Sequence, residues 1–262
     1  MSPSLSWPLA AQDLDSSTAP ATAVRIDVSQ NEREAPVHHH RKGQLVMALR
    51  GGVTCSVSDG MWVVPPNCGV WVPGGLPHSN VATANARLFF LFVEPGASDL
   101  PDRCCTLSLT PLVREMIVAM ADRSADTAPD AALLTQLLLS VLSRMPVQEL
   151  YLPLTDEPRL RRIASSLAEN PADRSTMAEW AARVALSENS LARLVRQETG
   201  LTFGRWRQQL QLIVSLRSLA TGATVQKVSA DLGYESVSAF ITMFKKALGM
   251  SPAKYMRRLG EP

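Results

Sequence analysis

One helical unit occurs twice in the last hundred residues, and this duplication constrains the fold more than any other feature of the sequence. At an offset of 49 residues, Ser187 matches Ser236, Leu191 matches Phe240 and Val195 matches Phe244. Arg196 matches Lys245, Gly200 matches Gly249, Leu201 matches Met250, Thr202 matches Ser251 and Trp206 matches Tyr255. Capping, apolar, basic and turn-forming positions recur in step, so a single supersecondary unit has been used twice.

Each copy follows one plan. Thr176 with Glu179 three residues on is a capping-box pair, which opens a short helix running to about Arg183. Val184-Ala185-Leu186 then turns, Ser187 caps a second helix, and Gly200 suits its left-handed end. In the second copy Thr224 starts a helix, Leu232-Gly233-Tyr234 turns, Ser236 caps and Gly249 stops. A short helix, a tight turn and a second helix make a helix-turn-helix, whose second helix enters the DNA major groove.

Apolar periodicity orients those second helices. Leu191, Leu194 and Val195, and likewise Phe240, Met243 and Phe244, face inward. The outer faces are then Asn189, Ala192, Arg193 and Arg196 in the first copy, and Val237, Ser238, Thr242 and Lys245 in the second. Arg193 suits bidentate contact with guanine and Asn189 contact with adenine. Arg196 and Lys245, one turn later, are better placed for phosphates. The plainer alternative for any single residue is a solvated helix face.

Between the copies a helix of about residues 203–220 carries Trp206, Leu210, Ile213, Val214 and Leu216 as apolar positions. Its length of roughly 27 Å is near the ~34 Å between successive major-groove faces, so one chain places both readers on one side of a duplex. Charge agrees with this reading. The net charge of +2 hides a split, because from Thr155 onward 16 Lys/Arg stand against 10 Asp/Glu. A basic C-terminal part facing an acidic N-terminal one points to a polyanionic partner for the former.

The run from Trp180-Ala181-Ala182 to Gly200 closely resembles the AraC/XylS transcription regulators, as does Ser238-Ala239-Phe240-Ile241 with 245–252. The resemblance covers about residues 158–258. It implies a bacterial regulator of promoters that normally senses something. A departure stands at Ala185, where the family often has Gly; a left-handed residue other than Gly costs roughly 1–2 kcal/mol.

Residues 24–95 read as strands. Val53, Cys55 and Val57 alternate with Thr54, Ser56 and Ser58, and Ser58-Asp59-Gly60 marks a hairpin turn. Met61–64, 70–72 and 86–93 follow, broken by Pro65-Pro66-Asn67 and Pro73-Gly74-Gly75. Short strands so punctuated predict a sandwich or barrel. The period turns helical at Thr110-Pro111, with Leu112, Val113, Met116, Ile117 and Met120 on one face. A second helix, about residues 129–144, carries Leu133, Leu134, Leu137, Leu138, Val141 and Leu142 on one stripe, for the domain's own core or for a twin helix. The expected organisation is a two-domain α+β chain. It comprises a flexible arm at 1–23, a barrel-like sensor and dimerisation domain with its helices at 24–145, a linker at 146–158, and an all-α DNA-binding domain at 159–262.

All four histidines lie between positions 38 and 78. His38-x-His40 and the run Pro73-Gly74-Gly75-Leu76-Pro77-His78 resemble the two signatures of cupin barrels. Together with 40–45 they fit the cupin sensor domain of one AraC-type subgroup. Gln44 stands where metal-binding cupins usually carry Glu, and a neutral amide is a weaker ligand than a carboxylate. The resemblance therefore favours a small organic effector held by His38, His40, Gln44 and His78, with Trp62 or Trp71 as apolar walls. The alternatives are a metal on His38, His40 and His78, and histidines that only stabilise the barrel mouth.

These readings imply a sequence-specific transcription regulator, activator or repressor, that is not an enzyme and needs no cofactor. Its partners are double-stranded promoter DNA, an effector, a second copy of the chain and, for an activator, RNA polymerase. The rivals are a metal-dependent cupin enzyme and an effector-free architectural DNA binder. Apolar runs are too short for a membrane span and nothing at the N-terminus reads as a signal peptide. Four cysteines without CxxC spacing fit reduced thiols in the cytoplasm.

Overall fold

The computed structural model describes residues 15–28, 33–34, 36–58, 60–64, 67–83, 86–122, 130–148 and 150–260. The first fourteen residues of the arm, Asp59 of the hairpin turn, Pro65-Pro66 and Pro129 lie outside them. The described residues divide into two compact units, one built from the chain up to 150 without 58–61, the other from 151–257 with 58–61.

The first unit is β-rich. Its strands are β1 (Ala21–Asp27), β2 (Arg33–Glu34), β3 (Gly43–Arg50), β4 (Val53–Val57), β5 (Gly60–Val63), β6 (Cys68–Val72), β7 (His78–Ala82), β8 (Arg87–Val93), β9 (Cys105–Ser108) and β10 (Val147–Gln148). One sheet runs β1-β8-β3-β6-β9-β10, and β5-β4-β7-β2 lie together in a second. Every pairing in the first sheet is antiparallel.

Two helices, α1 (Pro111–Asp122) and α2 (Ala131–Leu142), lie over one face of the first sheet. Leu45, Met47, Trp71, Phe89, Leu91, Val93 and Leu107 form a core there with Val113, Met116, Ile117, Leu138, Leu139 and Leu142. The alternate residues of the same strands, Gln44, Val46, Val70, Val72, Phe90 and Phe92, are buried too. A strand buried on both faces needs no polar alternation, which is why 88–93 is continuously apolar. Thr110 caps α1 as expected, its Oγ1 accepting from the Val113 N–H at 3.3 Å.

The structure corrects the expected helix stripes. Leu138, Leu139 and Leu142 are the buried face of α2, while Leu133 and Leu137 are 67% and 50% exposed. Leu112 on α1 is also exposed. Six leucines within twelve residues wrap more than half of a helix, so one sheet face cannot cover them all. The expected linker is corrected as well. Val147–Gln148 pairs with Leu107 and Thr106 of β9, itself a strand the sequence reading stopped short of. Two-residue strands leave no periodicity to read.

The second unit is helical: α3 (Pro158–Glu169), α4 (Met177–Arg183), α5 (Glu188–Thr199), α6 (Phe203–Ala220), α7 (Val225–Asp231), α8 (Val237–Leu248) and α9 (Pro252–Gly260). It begins with β11 (Leu152–Pro153), which pairs with Met61 and Gly60. Side-chain N-caps stand where the sequence placed them. Thr176 and Glu179 form the full capping box, and Ser187, Thr224 and Ser236 each accept from the backbone N–H three residues on, as does Thr202, a cap the sequence reading did not single out. Such caps contribute about 1 kcal/mol apiece. Gly200 and Gly249 end α5 and α8 with φ of 71° and 68°.

The copies differ in their turns. Helices α4 and α7 are 48 residues apart, whereas α5 and α8 are 49 apart, so the second turn is one residue longer. Both turns open alike, with the Leu186 N–H donating to the Ala181 carbonyl and the Tyr234 N–H to the Ser229 carbonyl. The left-handed residue is Gly233 in the second copy but Ala185, at φ 54°, in the first. Ala185→Gly should therefore stabilise the helical unit by about 0.5–1 kcal/mol, the relieved strain exceeding the added unfolded-chain entropy. Chemical denaturation of the two proteins checks this, and an unchanged or lower midpoint would refute it.

Candidate nucleic-acid interface and histidine pocket

The two reading helices are oriented by one interior. Leu191 and Val195 of α5 are fully buried, as are Phe240 and Phe244 of α8, with Met243 close behind and Leu194 half-buried. Trp206 and Tyr255, the matched aromatic positions, are also buried. In the second copy the aromatic rings form a ladder: Tyr234 to Phe240, Phe240 to Phe244 and Phe244 to Tyr255, with centroids 5.6, 5.7 and 5.6 Å apart. Edge-on contacts at this spacing hold α8 by its inner face.

Asn189, Arg193 and Arg196 of α5 are consequently exposed and Ala192 is half-buried. On α8, Ser238, Thr242 and Lys245 are exposed and Val237 is half-buried. The Thr242 hydroxyl donates to the Ser238 carbonyl at 2.9 Å, so its polar hydrogen is occupied within the helix. Lys246, exposed in the last turn of α8 beside Lys245, is a basic group the sequence reading passed over. Its signal was the doubled lysine in a final helical turn.

Polar contacts fix one copy against the other. Arg174, in the segment before α4, donates to the Gly233 carbonyl, and its guanidinium lies 5.5 Å from the Tyr234 ring centroid. Gln211 of α6 donates to the Pro171 carbonyl at 3.3 Å and accepts from the Tyr234 hydroxyl at 3.4 Å. Arg183 donates to Asp173 at 2.8 Å and to the Ser175 hydroxyl at 2.6 Å, while its guanidinium lies over the Trp180 ring. The Arg183 hydrogen bond, then that of Ser175, brings the Asp173 carboxyl down to about 2.

In the first unit, His38, His40 and His78 converge. One ring nitrogen of each lies within 4.8 Å of the other two. Ring centroids are 4.5 Å apart for His38 and His78, and 5.0 Å for His40 and His78. His38 and His78 are joined across the chain by a pair of backbone hydrogen bonds of 3.0 and 2.9 Å. Gln44 of β3 reaches the cluster, its Oε1 lying 3.2 Å from His40 Nε2. His40, Gln44 and His78 are buried, His38 is half-buried and His39 is exposed. Burial above all brings the His78 imidazole down to about 4.

Asn80 belongs beside this set, although the sequence reading missed it. It stands two residues beyond His78 on β7, hence on the same strand face, and is fully buried. Neither its amide oxygen nor its amide nitrogen has a hydrogen-bond partner. The period-two spacing from His78 was the available signal. The suggested tryptophan walls separate. Trp62 is buried on β5, but Trp71 lies on the opposite face of the sheet from Gln44. Its indole donates to the Pro101 carbonyl at 2.7 Å in the core beneath the helices, so Trp71 does not wall this pocket. A Cβ on Gly43 would come within 2.0 Å of the Trp71 ring, so glycine is required there by close packing. The four cysteines form no disulfide, and burial pushes Cys55 up to about 12 and Cys68 and Cys105 up to about 11.

Two families match this chain. The one described as AraC-like ligand binding domain matches residues 21–138, and the one described as helix-turn-helix domain matches residues 180–258. The HTH-type transcriptional regulator NimR of Escherichia coli (strain K12) is 48% identical over 241 residues, covering 91% of this chain and 88% of that one. The probable transcriptional regulator LumQ of Photobacterium leiognathi is 23% identical, covering 86% of this chain and 93% of that one. GadX of Escherichia coli (strain K12) is 31% identical over 131 residues, covering 47% of this chain and 46% of that one.

Asp173 gives the helical unit a defined acid response. Its folded carboxyl titrates at about 2, below the ~3.9 of an unfolded chain. The stabilisation is therefore present above pH ~4 and is lost as pH falls through about 2. Asp173→Asn should lower the melting temperature at pH 6, and the difference from wild type should shrink between pH ~4 and ~2. Thermal unfolding across that range measures it, and a pH-independent difference would assign the loss to packing instead.

Proposed function

Because this chain belongs to the AraC family of helix-turn-helix transcription regulators, we propose that it controls a promoter by reading two successive major-groove faces with α5 and α8. It is a DNA-binding regulator and not an enzyme. The observation that carries the promoter reading is the duplicated reader. Two capped helices present their outer faces from one continuous interior, and a latch of Arg174, Tyr234 and Gln211 sets their spacing. We assign DNA binding to 159–262 and sensing and dimerisation to 24–145.

The readers are unequal. Arg193 and Asn189 supply base-edge donors on α5, with Ala192 beside them, and Arg196 contacts phosphate. On α8, Val237, Ser238 and Thr242 offer apolar contact to thymine methyls, and Lys245 holds phosphate. Most discrimination therefore comes from the α5 half of the site, with DNA shape contributing in the other half. Arg193→Ala should weaken specific binding by about 1–3 kcal/mol and relax preference at one position. Binding to a saturated library of sites, for wild type and variant, is the measurement. Equal loss on specific and random DNA would reassign Arg193 to phosphate, and equal base preferences in both halves would end the unequal reading.

An effector site in the barrel is the sensing part of the proposal. Gln44, His78 and Asn80 each keep a buried polar atom without a hydrogen-bond partner, beside buried His40, with His38 at the edge and Trp62 as an apolar wall. A bound effector acts on the promoter as far as it favours one DNA-binding arrangement, typically by 1–3 kcal/mol. Activation would add RNA polymerase as a partner. Four cysteines without a disulfide agree with a cytoplasmic location, and among the described residues no helix is long and apolar enough to cross a membrane.

Leu133 and Leu137, exposed one turn apart on α2, support a homodimer formed through that helix. Replacing both by Glu should convert a dimer to a monomer at micromolar concentration while each chain stays folded. Sedimentation with circular dichroism checks this, and a wild type that is already monomeric with and without DNA overturns it.

A further inference from the structure

Asn80 is fully buried on β7 with neither amide atom paired. Its own sheet offers it little. On the neighbouring strand β4, Cys55 stands opposite Asn80, Val57 opposite His78 and Val53 opposite Ala82. A thiol is a weak donor and valine is none. An apolar side chain of the same shape would avoid the cost of a bare buried amide. A position that is polar against that cost points to a partner from outside the chain.

The histidines add acceptors. Each has its Nδ1 beside a backbone carbonyl two residues away: 2.9 Å for His38 and Pro36, 2.5 Å for His40 and Lys42, and 2.8 Å for His78 and Leu76. A carbonyl only accepts, so each Nδ1 carries the proton and each neutral ring keeps a lone pair on Nε2. His40 Nε2 lies 3.2 Å from the Gln44 oxygen. Turning that amide end for end leaves its shape unchanged, gives His40 an N–H and leaves the oxygen bare. His78 Nε2 is buried without a partner, two residues and about 7 Å from Asn80 along one strand face. The wall beside these groups is flat and aromatic. Phe92 pairs in register with Gln44, on the sheet face away from the helices, and its ring meets His40 edge-on with centroids 5.2 Å apart. Phe90 lies nearly parallel to Phe92, their planes 14° apart.

Resting on the effector reading above, we propose that Asn80 and His78 set the chemical class of the effector. It is a small, uncharged, planar molecule that offers Asn80 an N–H beside a C=O, as an amide or a lactam does. About 7 Å along, it offers His78 Nε2 a hydroxyl or a second N–H. An amide edge meets both atoms of Asn80 at once, as asparagine meets the edge of adenine. Acceptors otherwise predominate, because His78 Nε2 and the Gln44 oxygen both await donors. A carboxylate or phosphate would bring only more acceptors. The basic residues beside His40 are spent elsewhere: Arg41 donates to Glu94 and to the Asp15 carbonyl, and Lys42 Nζ to the Ala19 carbonyl at 3.2 Å. Burial, which brings His78 down to about 4, keeps its ring uncharged as well.

The probe is para-hydroxybenzamide, which carries an amide and a hydroxyl at opposite ends of a flat ring. Benzamide and para-hydroxybenzoate each change one end. The full chain is titrated with all three by calorimetry, and its melting temperature is followed alongside. The hydroxy-amide should bind at least about tenfold tighter than either relative, since each of those leaves a buried group unpaired. His78→Ala should make the hydroxy-amide and benzamide bind alike. Asn80→Leu should abolish the preference over the acid and raise the melting temperature of the free protein, because an apolar side chain needs no partner. A merely structural Asn80 would lower it instead. Should that variant fail to fold, Asn80→Asp keeps the shape and should shift preference to para-hydroxybenzamidine, whose amidinium only donates. Wild type that binds the acid as tightly, or binds none of the probes, overturns the proposal, as does an affinity for the hydroxy-amide unchanged by Asn80→Leu. Promoter control in cells carrying His78→Ala judges the effector reading separately. Control lost while wild type prefers the acid keeps an effector and overturns its class. Control unchanged while the hydroxy-amide binds ends sensing and leaves the binding site.

Discussion

Burial of α6 along its whole length is the constraint on which the helical unit depends. Phe203, Trp206, Leu210, Leu212, Ile213, Leu216, Leu219 and Ala220 are all inside, on more than one side of the helix. An eighteen-residue helix enclosed in this way needs cover on several faces, and α3, α5 and α7 pack against it. The reading helices need no surface of their own to hold them. With Leu191, Val195, Phe240 and Phe244 turned inside, Asn189, Arg193 and Arg196 stay exposed. Removing a side chain such as Trp206 or Leu216 would leave a cavity in the packing of α6, at a cost of about 2–5 kcal/mol.

Polar groups on the same helix supply geometry rather than bulk stability. Gln211 is buried and uses both amide atoms, one toward Pro171 and the other toward Tyr234. Tyr234 in turn begins the ring ladder that seats α8. The longer second turn is thus tied through Gln211 and Arg174 to the segment that opens the first copy. Moving one copy against the other would have to break these partly buried hydrogen bonds. Such a connection makes the arrangement of α5 and α8 a property of the fold, as the proposed reading of two half-sites requires.

The helical unit was largely legible in the sequence because its signals are local. A capping residue, the third residue on and a glycine at the end mark a helix without reference to anything distant, and Thr176, Ser187, Ser236, Gly200 and Gly249 all stand in those roles. Ala185 was legible as strain for the same reason. What escaped depends on partners far along the chain. Strands β10 and β11 exist only because Leu107 and Met61 lie opposite them. The split of the α2 stripe follows from how much of a helix one sheet can cover. Trp71 reads by default as core, with a pocket wall as the alternative, and the register with Leu45 puts it on the helix side.

The histidine cluster joins both kinds of information. Its residue types and spacing are legible in the sequence, which groups His38, His40, Gln44 and His78. The tautomers could not, because they depend on where the carbonyls of Pro36, Lys42 and Leu76 point. That difference alters the weight of the chemistry. On composition alone, Gln44 in place of a carboxylate argues against a metal. The structure adds that Gln44 Nε2, His78 Nε2 and both amide atoms of Asn80 are buried without a partner, where a core designed only for stability would have apolar groups or mutually satisfied polar ones. Asn80, buried on the same strand face as His78, extends this polar wall along β7. These unmatched donors and acceptors are what the proposed effector would have to satisfy, so its polar groups, more than its bulk, would decide how it is held.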